Sequence, residues 1–319
     1  MKILIVSGFL GAGKTTFIRS LRQKTNIDFV IYENEYAEVN VDSVILETND
    51  LLVWESTENC ACCSGKGDFA SSILTISNTL DPEFLIVEPT GVAMLSNMIN
   101  NIKNICYEKI SLLAPVTLVD TTRFFKLYDN YTSLINNQID NAQNIIFTKT
   151  EYVNTDEINL IENIIRENNG KANIITTGFL DKDKDFFMNF LTLSLDGNKI
   201  DIKEEFNENN FETFTIKNPI LICEVELIYI LDLMVGGAFG NIERAKGVVK
   251  CANQYLRFDL VGTLYSITGT VECESAFVTI GKNINKSALY SCFLDYYNDK
   301  NTFSKSLFFK RNMNETKDL

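Results

Sequence analysis

The chain has 319 residues, 45% hydrophobic and 22% charged, which is room enough for two domains and a sizeable soluble core. Its formal net charge of −13 argues against nucleic acid as a partner, because backbone phosphates call for clustered Lys and Arg. No apolar run approaches the ~20 residues of a membrane span and the N-terminus carries no signal-peptide pattern, so neither membrane insertion nor export is expected and a cytoplasmic protein is.

In chain order, the first half alternates short apolar runs with helical stretches, the pattern of βα units around a mostly parallel sheet. Strands are expected over 2–6, 29–32, 51–54, 84–87, 112–119 and 145–147, with Ile174-Ile175 as a short final one. Helices are expected over 15–23, 67–79, 93–102, 132–141 and 156–168. Between Asp181 and Asn210 the sequence turns charged and Asn-rich, the mark of a boundary. A second unit then shows a strand-like opening, a helix over 221–235, strands over 248–251, 255–260, 264–271 and 277–280, and a helix over 287–297. The fold expected is α/β, a P-loop NTPase parallel-sheet domain over 1–185, a linker over 186–210, and a smaller α+β C-terminal domain over 211–297. A frayed tail is expected over 298–319.

The first strand runs straight into Gly8-Phe9-Leu10-Gly11-Ala12-Gly13-Lys14-Thr15-Thr16, a phosphate-binding loop in its expected strand–turn–helix setting. Gly8 and Gly13 let the backbone curl around the β-phosphate, with Gly11 and Ala12 between them. Lys14 is expected to bridge the β- and γ-phosphates and the Thr15 hydroxyl to ligate Mg2+, with Thr16 opening the helix. The chain is expected to bind a nucleoside triphosphate.

After the second strand, Glu33, Glu35, Glu38 and Asp42 put four carboxylates in ten residues at the strand end where parallel-sheet sites form. One of them can hold Mg2+ or position water and others can ligate a second metal, whereas a solvated acidic loop explains them equally well. Asn59-Cys60-Ala61-Cys62-Cys63 places three thiols within four residues of a polar loop. Zn2+, bound near ~2.3 Å by thiolates, is the default reading; a redox dithiol and buried structural cysteines are the others. Five further cysteines are scattered, and histidine is absent, so any transition-metal site must use thiolate, carboxylate, backbone or water ligands. Glu88-Pro89-Thr90-Gly91 ends another strand on a carboxylate that can act on Mg2+ and a glycine whose N–H can sense the γ-phosphate. Thr148-Lys149-Thr150-Glu151 follows a late strand, where Lys149 can lie along a base ring and Glu151 can accept from a guanine's N1–H and amine.

In this order and spacing the motifs Gly8–Thr16, Glu33–Asp42, Cys60-Ala61-Cys62-Cys63, Glu88–Ala93 and Thr148–Glu151 resemble the CobW-like P-loop GTPases, a branch of the group that includes nickel-, cobalt- and zinc-handling metal chaperones. Arg244-Ala245-Lys246-Gly247 and Ile280-Gly281 resemble motifs of that family's C-terminal domain. The resemblance implies GTP binding and slow hydrolysis, coupled to a Zn2+ or Co2+ ion held by Cys60, Cys62 and Cys63, with Glu35, Glu38 or water as fourth ligand. It implies Lys14, Glu35, Asp42 and Glu88 as the residues serving hydrolysis. A client metalloprotein or corrinoid protein is the expected partner, and a homodimer is common among such GTPases. The other reading is a nucleotide-gated activator of a corrinoid or other metalloprotein, with structural cysteines. Three departures stand out. The family's Asn-Lys-x-Asp appears with Thr148 and Glu151, which weakens or realigns guanine preference and leaves an ATP-using enzyme as a third reading. Asn59 stands where a glycine usually precedes the first cysteine, and no His-rich storage stretch exists. Arg244 and Lys246 read either as a client or dimer contact or as a salt-bridged strand edge.

Overall fold

The computed structural model describes residues 1–34, 45–48, 51–56, 66–107, 109–195, 211–271 and 275–293. The chain divides into two compact units, Met1–Phe211 and a second from Glu212 onward.

The first unit runs β1 (Lys2–Gly8), α1 (Lys14–Thr25), β2 (Val30–Asn34), β3 (Ile45–Thr48), β4 (Leu51–Ser56), α2 (Lys66–Thr79), β5 (Phe84–Pro89) and α3 (Leu95–Lys103). It continues through β6 (Ser111–Leu112), β7 (Val116–Asp120), α4 (Phe124–Asp140), β8 (Asn144–Thr148), α5 (Thr155–Asn168), β9 (Asn173–Ile175) and α6 (Lys184–Thr192). Among the described residues nine strands form one sheet in the order β3-β4-β2-β5-β1-β7-β8-β9, with β6 also on β1. All pairings are parallel except β3 against β4. The central strands are apolar on both faces, as a sheet covered by helices on either side requires: Ile3, Leu4, Ile5 and Val6 are wholly buried. Strand order reverses beside β1, and in open parallel sheets that reversal leaves a crevice beyond the carboxyl ends.

Three elements differ from expectation. The run over 112–119 is two strands, because Pro115 has no N–H to donate to a ladder and the chain steps between β6 and β7 there. The helix expected over 132–141 begins eight residues earlier and carries non-helical backbone at Tyr131 (φ −137°, ψ 35°). The stretch expected to open a linker over 186–210 instead begins with α6, an integral part of the core. The Asp183 side chain caps it by accepting from the Phe186 N–H, and Phe187 and Phe190 lie against Phe17 of α1 at ring-centroid distances of 5.6 and 5.5 Å. Residues 196–210 lie outside the described residues.

The second unit comprises β10 (Glu212–Lys217), β11 (Ile220–Leu221), α7 (Glu224–Val235), β12 (Asn241–Cys251), β13 (Gln254–Val261), β14 (Leu264–Thr270), β15 (Ala276–Lys282) and α8 (Lys286–Cys292). Its sheet has the order β10-β15-β12-β13-β14, antiparallel throughout, with β11 added in parallel to β12. Ala245, Val249, Phe258 and Phe277 on one sheet face pack with Leu227, Leu231 and Leu289 of the helices. Arg244 and Lys246 lie on β12, a central strand, which corrects the edge-strand reading. Arg244 pairs with Asp259 of the neighbouring strand at 3.7 Å.

Candidate nucleotide site

The loop between β1 and α1 is built by backbone rather than side chains. Gly11 and Gly13 have φ of 77° and 94°, the left-handed region that a side chain disfavours. Gly8 has φ 139°, also a conformation that favours glycine, and has a second reason to be one: a Cβ there would meet the Leu118 carbonyl oxygen of β7 at 2.5 Å, so glycine lets β1 approach its neighbour. The Ala12 N–H closes the turn onto the Phe9 carbonyl at 3.1 Å. Lys14, a residue only 6% exposed, donates through its ammonium to the carbonyls of Gly8 at 2.9 Å and Phe9 at 3.4 Å. Lys14 is also the first residue of α1, one ahead of the expected start, and Thr15 and Thr16 follow in its first turn. The helix N-terminus and the lysine together make this concavity attractive to phosphate.

Thr15 and Glu88, 73 positions apart, meet directly: the Thr15 hydroxyl donates to Glu88 Oε1 at 2.8 Å. A hydroxyl and a carboxylate beside a phosphate-binding loop form a hard-oxygen donor set, the chemistry that suits Mg2+. Three residues on, Gly91 is pressed against the loop itself. A Cβ on Gly91 would lie 2.3 Å from Leu10 N and 2.7 Å from Leu10 Cα, so the strand-end segment and the phosphate loop touch backbone to backbone.

Thr148, at the end of β8, donates through its hydroxyl to the Ala12 carbonyl at 3.0 Å and the Val119 carbonyl at 3.3 Å, tying the base-side strand to the phosphate loop. Lys149 takes left-handed backbone (φ 59°) and its ammonium reaches Asp120 Oδ2 at 2.5 Å. Asp120 is nearly buried and also accepts from the N–H and hydroxyl of Thr122 at 3.1 and 2.6 Å. That ion pair holds the lysine stem in one direction, the posture a side chain lying along a base needs. Glu151 sits on the exposed 3-10 turn Thr150–Tyr152.

Several neighbours carried no signal in the sequence. Asp120 ends a strand like many others. Arg123 donates to the Leu10 carbonyl at 3.4 Å, bringing a guanidinium to a loop whose matched motifs contain no arginine. Phe9 stacks on Tyr131 at 5.3 Å, and Phe211, the last residue of the unit, packs on Tyr131 at 5.0 Å. Phe9 lies within the phosphate-loop motif at a position the motif does not specify, and Tyr131 and Phe211 belong to no motif.

Glu35, Glu38, Asp42, Cys60, Cys62 and Cys63 lie outside the described residues. The strands that lead to them are described. β2 ends at Asn34 and β4 at Ser56, side by side, with Glu33 in register with both Glu55 of β4 and Glu88 of β5. The first acid of the expected loop, Glu33, is therefore a strand residue. Among the described residues no three His, Cys, Asp or Glu are grouped to hold a metal ion. Cys106, Cys223, Cys251 and Cys292 form no disulfide. Burial, seconded by the charge of Glu224, pushes the Cys251 thiol up to about 11, which leaves it a poor source of thiolate. No helix of the described residues is long and apolar enough to cross a membrane.

Known proteins resemble the chain along most of its length. It is 25% identical over 313 residues to the zinc chaperone YjiA of Escherichia coli K12, covering 91% of this chain and 97% of that one. It is 22% identical over 218 residues to the zinc-regulated GTPase metalloprotein activator 1 of Dictyostelium discoideum, 55% of this chain and 45% of that one. The crystal structure of the Zn(II)-bound YjiA GTPase from E. coli aligns over 92% of this chain and 98% of that chain, with a TM-score of 0.48 and 22% identity. Residues 2–176, from the first residue of β1 to the residue after β9, match the family described as CobW/HypB/UreG, nucleotide-binding domain, and the chain belongs to that family.

Proposed function

We propose that the protein is a GTP-binding and GTP-hydrolysing metallochaperone, in which nucleotide state sets how firmly Cys60, Cys62 and Cys63 hold a Zn2+ or Co2+ cargo. The observation that carries this reading is the order of the strand ends. β4, β2, β5 and β1 lie side by side and parallel, so the chain enters the cysteine segment, the acidic segment, the Glu88–Gly91 segment and the phosphate loop from one edge of one sheet. The printed names of the relatives, zinc chaperone and zinc-regulated GTPase, support zinc as the first cargo to test.

In this reading Lys14 leaves the Gly8 and Phe9 carbonyls for the β- and γ-phosphates, and the helix N-terminus supplies further N–H donors. Thr15 and Glu88 would hold Mg2+, which, when bound, neutralises charge on the phosphate oxygens. Gly91 reads the third phosphate from its seat against Leu10. Lys149, aimed by Asp120, lies along the base, and Glu151 accepts from its N–H edge. Glu35, Glu38 and Asp42 are proposed to complete the metal and water positions, and the client is a metalloprotein. The domain over 211–297 is proposed to present the loaded protein to that client.

The test is a zinc and cobalt titration of the full chain and of Cys62→Ser, each with GDP and with a non-hydrolysable GTP analogue. Expected are loss of the bound ion in the variant and an affinity difference of at least several-fold between nucleotides in the wild type, with the reciprocal effect of metal on nucleotide affinity. Unchanged stoichiometry in Cys62→Ser, or equal metal affinity in both nucleotide states, overturns the chaperone reading.

A further inference from the structure

α4 buries one amide side chain that the proposed chemistry does not use. Gln138 is 2% exposed, on a helix face otherwise occupied by Leu134, Ile135 and Ile139, all buried. Its amide nitrogen donates to two carbonyls of the strand-end segment, Gly91 at 3.1 Å and Ala93 at 3.2 Å. The orientation of the amide follows from its partners, since two carbonyl oxygens demand the NH2 group and repel the amide oxygen. Gln138 is itself anchored: its backbone carbonyl accepts the Thr117 hydroxyl of β7 at 2.9 Å, and Thr117 is 1% exposed.

The residues from Glu88 to Ala93 are therefore clamped at three places. Glu88 is bonded to Thr15 at the phosphate loop, Gly91 abuts Leu10 with no room for a methyl group, and Gln138 takes the Gly91 and Ala93 carbonyls from behind. The first two contacts set how near the segment lies to the phosphates. The third fixes the peptide groups that follow Gly91 and Ala93, and so pins the segment on the side away from the loop. A purely apolar residue at 138 would fill the space and leave two buried carbonyls without that donor, so the amide does something that packing does not require.

We infer that Gln138 is a positioning residue, which holds the strand-end segment by the Gly91 and Ala93 carbonyls and so keeps Gly91 seated against the phosphate loop, where its N–H can meet the third phosphate of a bound nucleoside triphosphate. It acts through Gly91 and touches no ligand. The inference rests on the nucleotide-binding reading above and deepens it by assigning the discrimination between triphosphate and diphosphate to a buried glutamine. A diphosphate lacks the group that Gly91 would meet, so the seat that Gln138 enforces is worth nothing to it.

The test compares the full-length wild type with Gln138→Leu, which keeps the bulk and removes both donors, and with Gln138→Glu, which turns a carboxylate toward the two carbonyls. Affinities for fluorescent GDP and for a non-hydrolysable GTP analogue are titrated, and single-turnover GTP hydrolysis is followed. Expected in both variants are GDP affinities within about 3-fold of wild type and analogue affinity or hydrolysis rate lowered by about 10-fold or more, the scale of losing hydrogen bonds to buried groups. Equal losses for both nucleotides mark a structural role and overturn the inference, as does no loss for either. Should the variants not fold, hydrogen exchange of the wild type decides: the amides of residues 91–93 are expected to slow with the analogue and not with GDP, and equal exchange overturns the inference. A wild type that binds neither nucleotide sinks the proposed function as well, whereas a wild type that binds both beside unaffected variants sinks the role of Gln138 alone.

Discussion

At the phosphate end of the site, position is enforced by backbone pressed on backbone, while at the base end the residue that would choose the nucleotide stands on an exposed turn. Gly8 approaches Leu118 and Gly91 approaches Leu10 at distances that exclude a Cβ, and Lys14 and Thr15 are fixed by short hydrogen bonds to Gly8 and Glu88. Glu151 is exposed, and its turn is only three residues long. Thr148 joins the two ends. Its hydroxyl reaches the Ala12 carbonyl, so the threonine that stands in place of the family's asparagine ties the end of β8 to the phosphate loop. On the proposed roles, the contrast teaches that the phosphate end tolerates little change because it depends on close packing, whereas base preference can drift at Glu151 because solvent surrounds that side chain.

Three substitutions test the contrast, in order of falling effect. Lys14→Ala would remove the charge-assisted contacts proposed to the β- and γ-phosphates, and triphosphate affinity is expected to fall by roughly 100-fold or more in an equilibrium titration. A small loss would mean that the helix N-terminus and backbone donors carry the phosphate alone. Gly91→Ala forces a methyl group into the Leu10 backbone, and chemical denaturation is expected to show a loss of about 1–3 kcal/mol, the usual scale of overpacking. An unchanged unfolding midpoint would show that the two segments do not touch as described. Glu151→Asp shortens an exposed carboxylate by one methylene, toward the family's residue, and is expected to raise the GTP-to-ATP affinity ratio by only a few-fold, with no change in stability. A change as large as that of Lys14→Ala would erase the distinction between the two ends.

The aromatic residues add a second contrast. Phe17 of α1 meets Phe179, Phe187 and Phe190, all inside one core, and such packing is a matter of volume and fit. Phe9 sits in the phosphate loop and meets Tyr131 at the irregular turn of α4. The same ring chemistry stabilises the fold in one place and borders the ligand loop in the other.

Much of the first unit was legible because its signals are local. The run Ile3 to Val6 before a glycine-rich loop, the alternation of strand and helix, and Glu88 at a strand end are all read from neighbours within a few residues, and each stands as read. α6 was obscured by its own cap: the acidic residues ahead of it have the composition of a linker, yet Asp183 among them accepts from the Phe186 N–H and starts a helix whose phenylalanines are buried. Glu33 was read as loop because acidic residues follow it without a break, although its pairing with Glu55 and Glu88 places it in the sheet. Gln138, Asp120 and Arg123 were invisible, because a glutamine in a helix, an aspartate after a strand and an arginine in a turn look alike whether or not they face a site.

By itself, the amino-acid sequence determined that a phosphate loop exists, that a parallel sheet presents it, and which acids and thiols accompany it along the chain. Hydrophobic periodicity, glycine conformational freedom and residue chemistry are properties of short segments, and they survive without knowledge of the fold. Only the tertiary structure decided which of these segments meet: Thr15 with Glu88, Gly91 with Leu10, Thr148 with Ala12, and Gln138 with the carbonyls behind Gly91. Those meetings depend on strand order and on the closeness that missing Cβ atoms allow, and neither is written in any one stretch of residues.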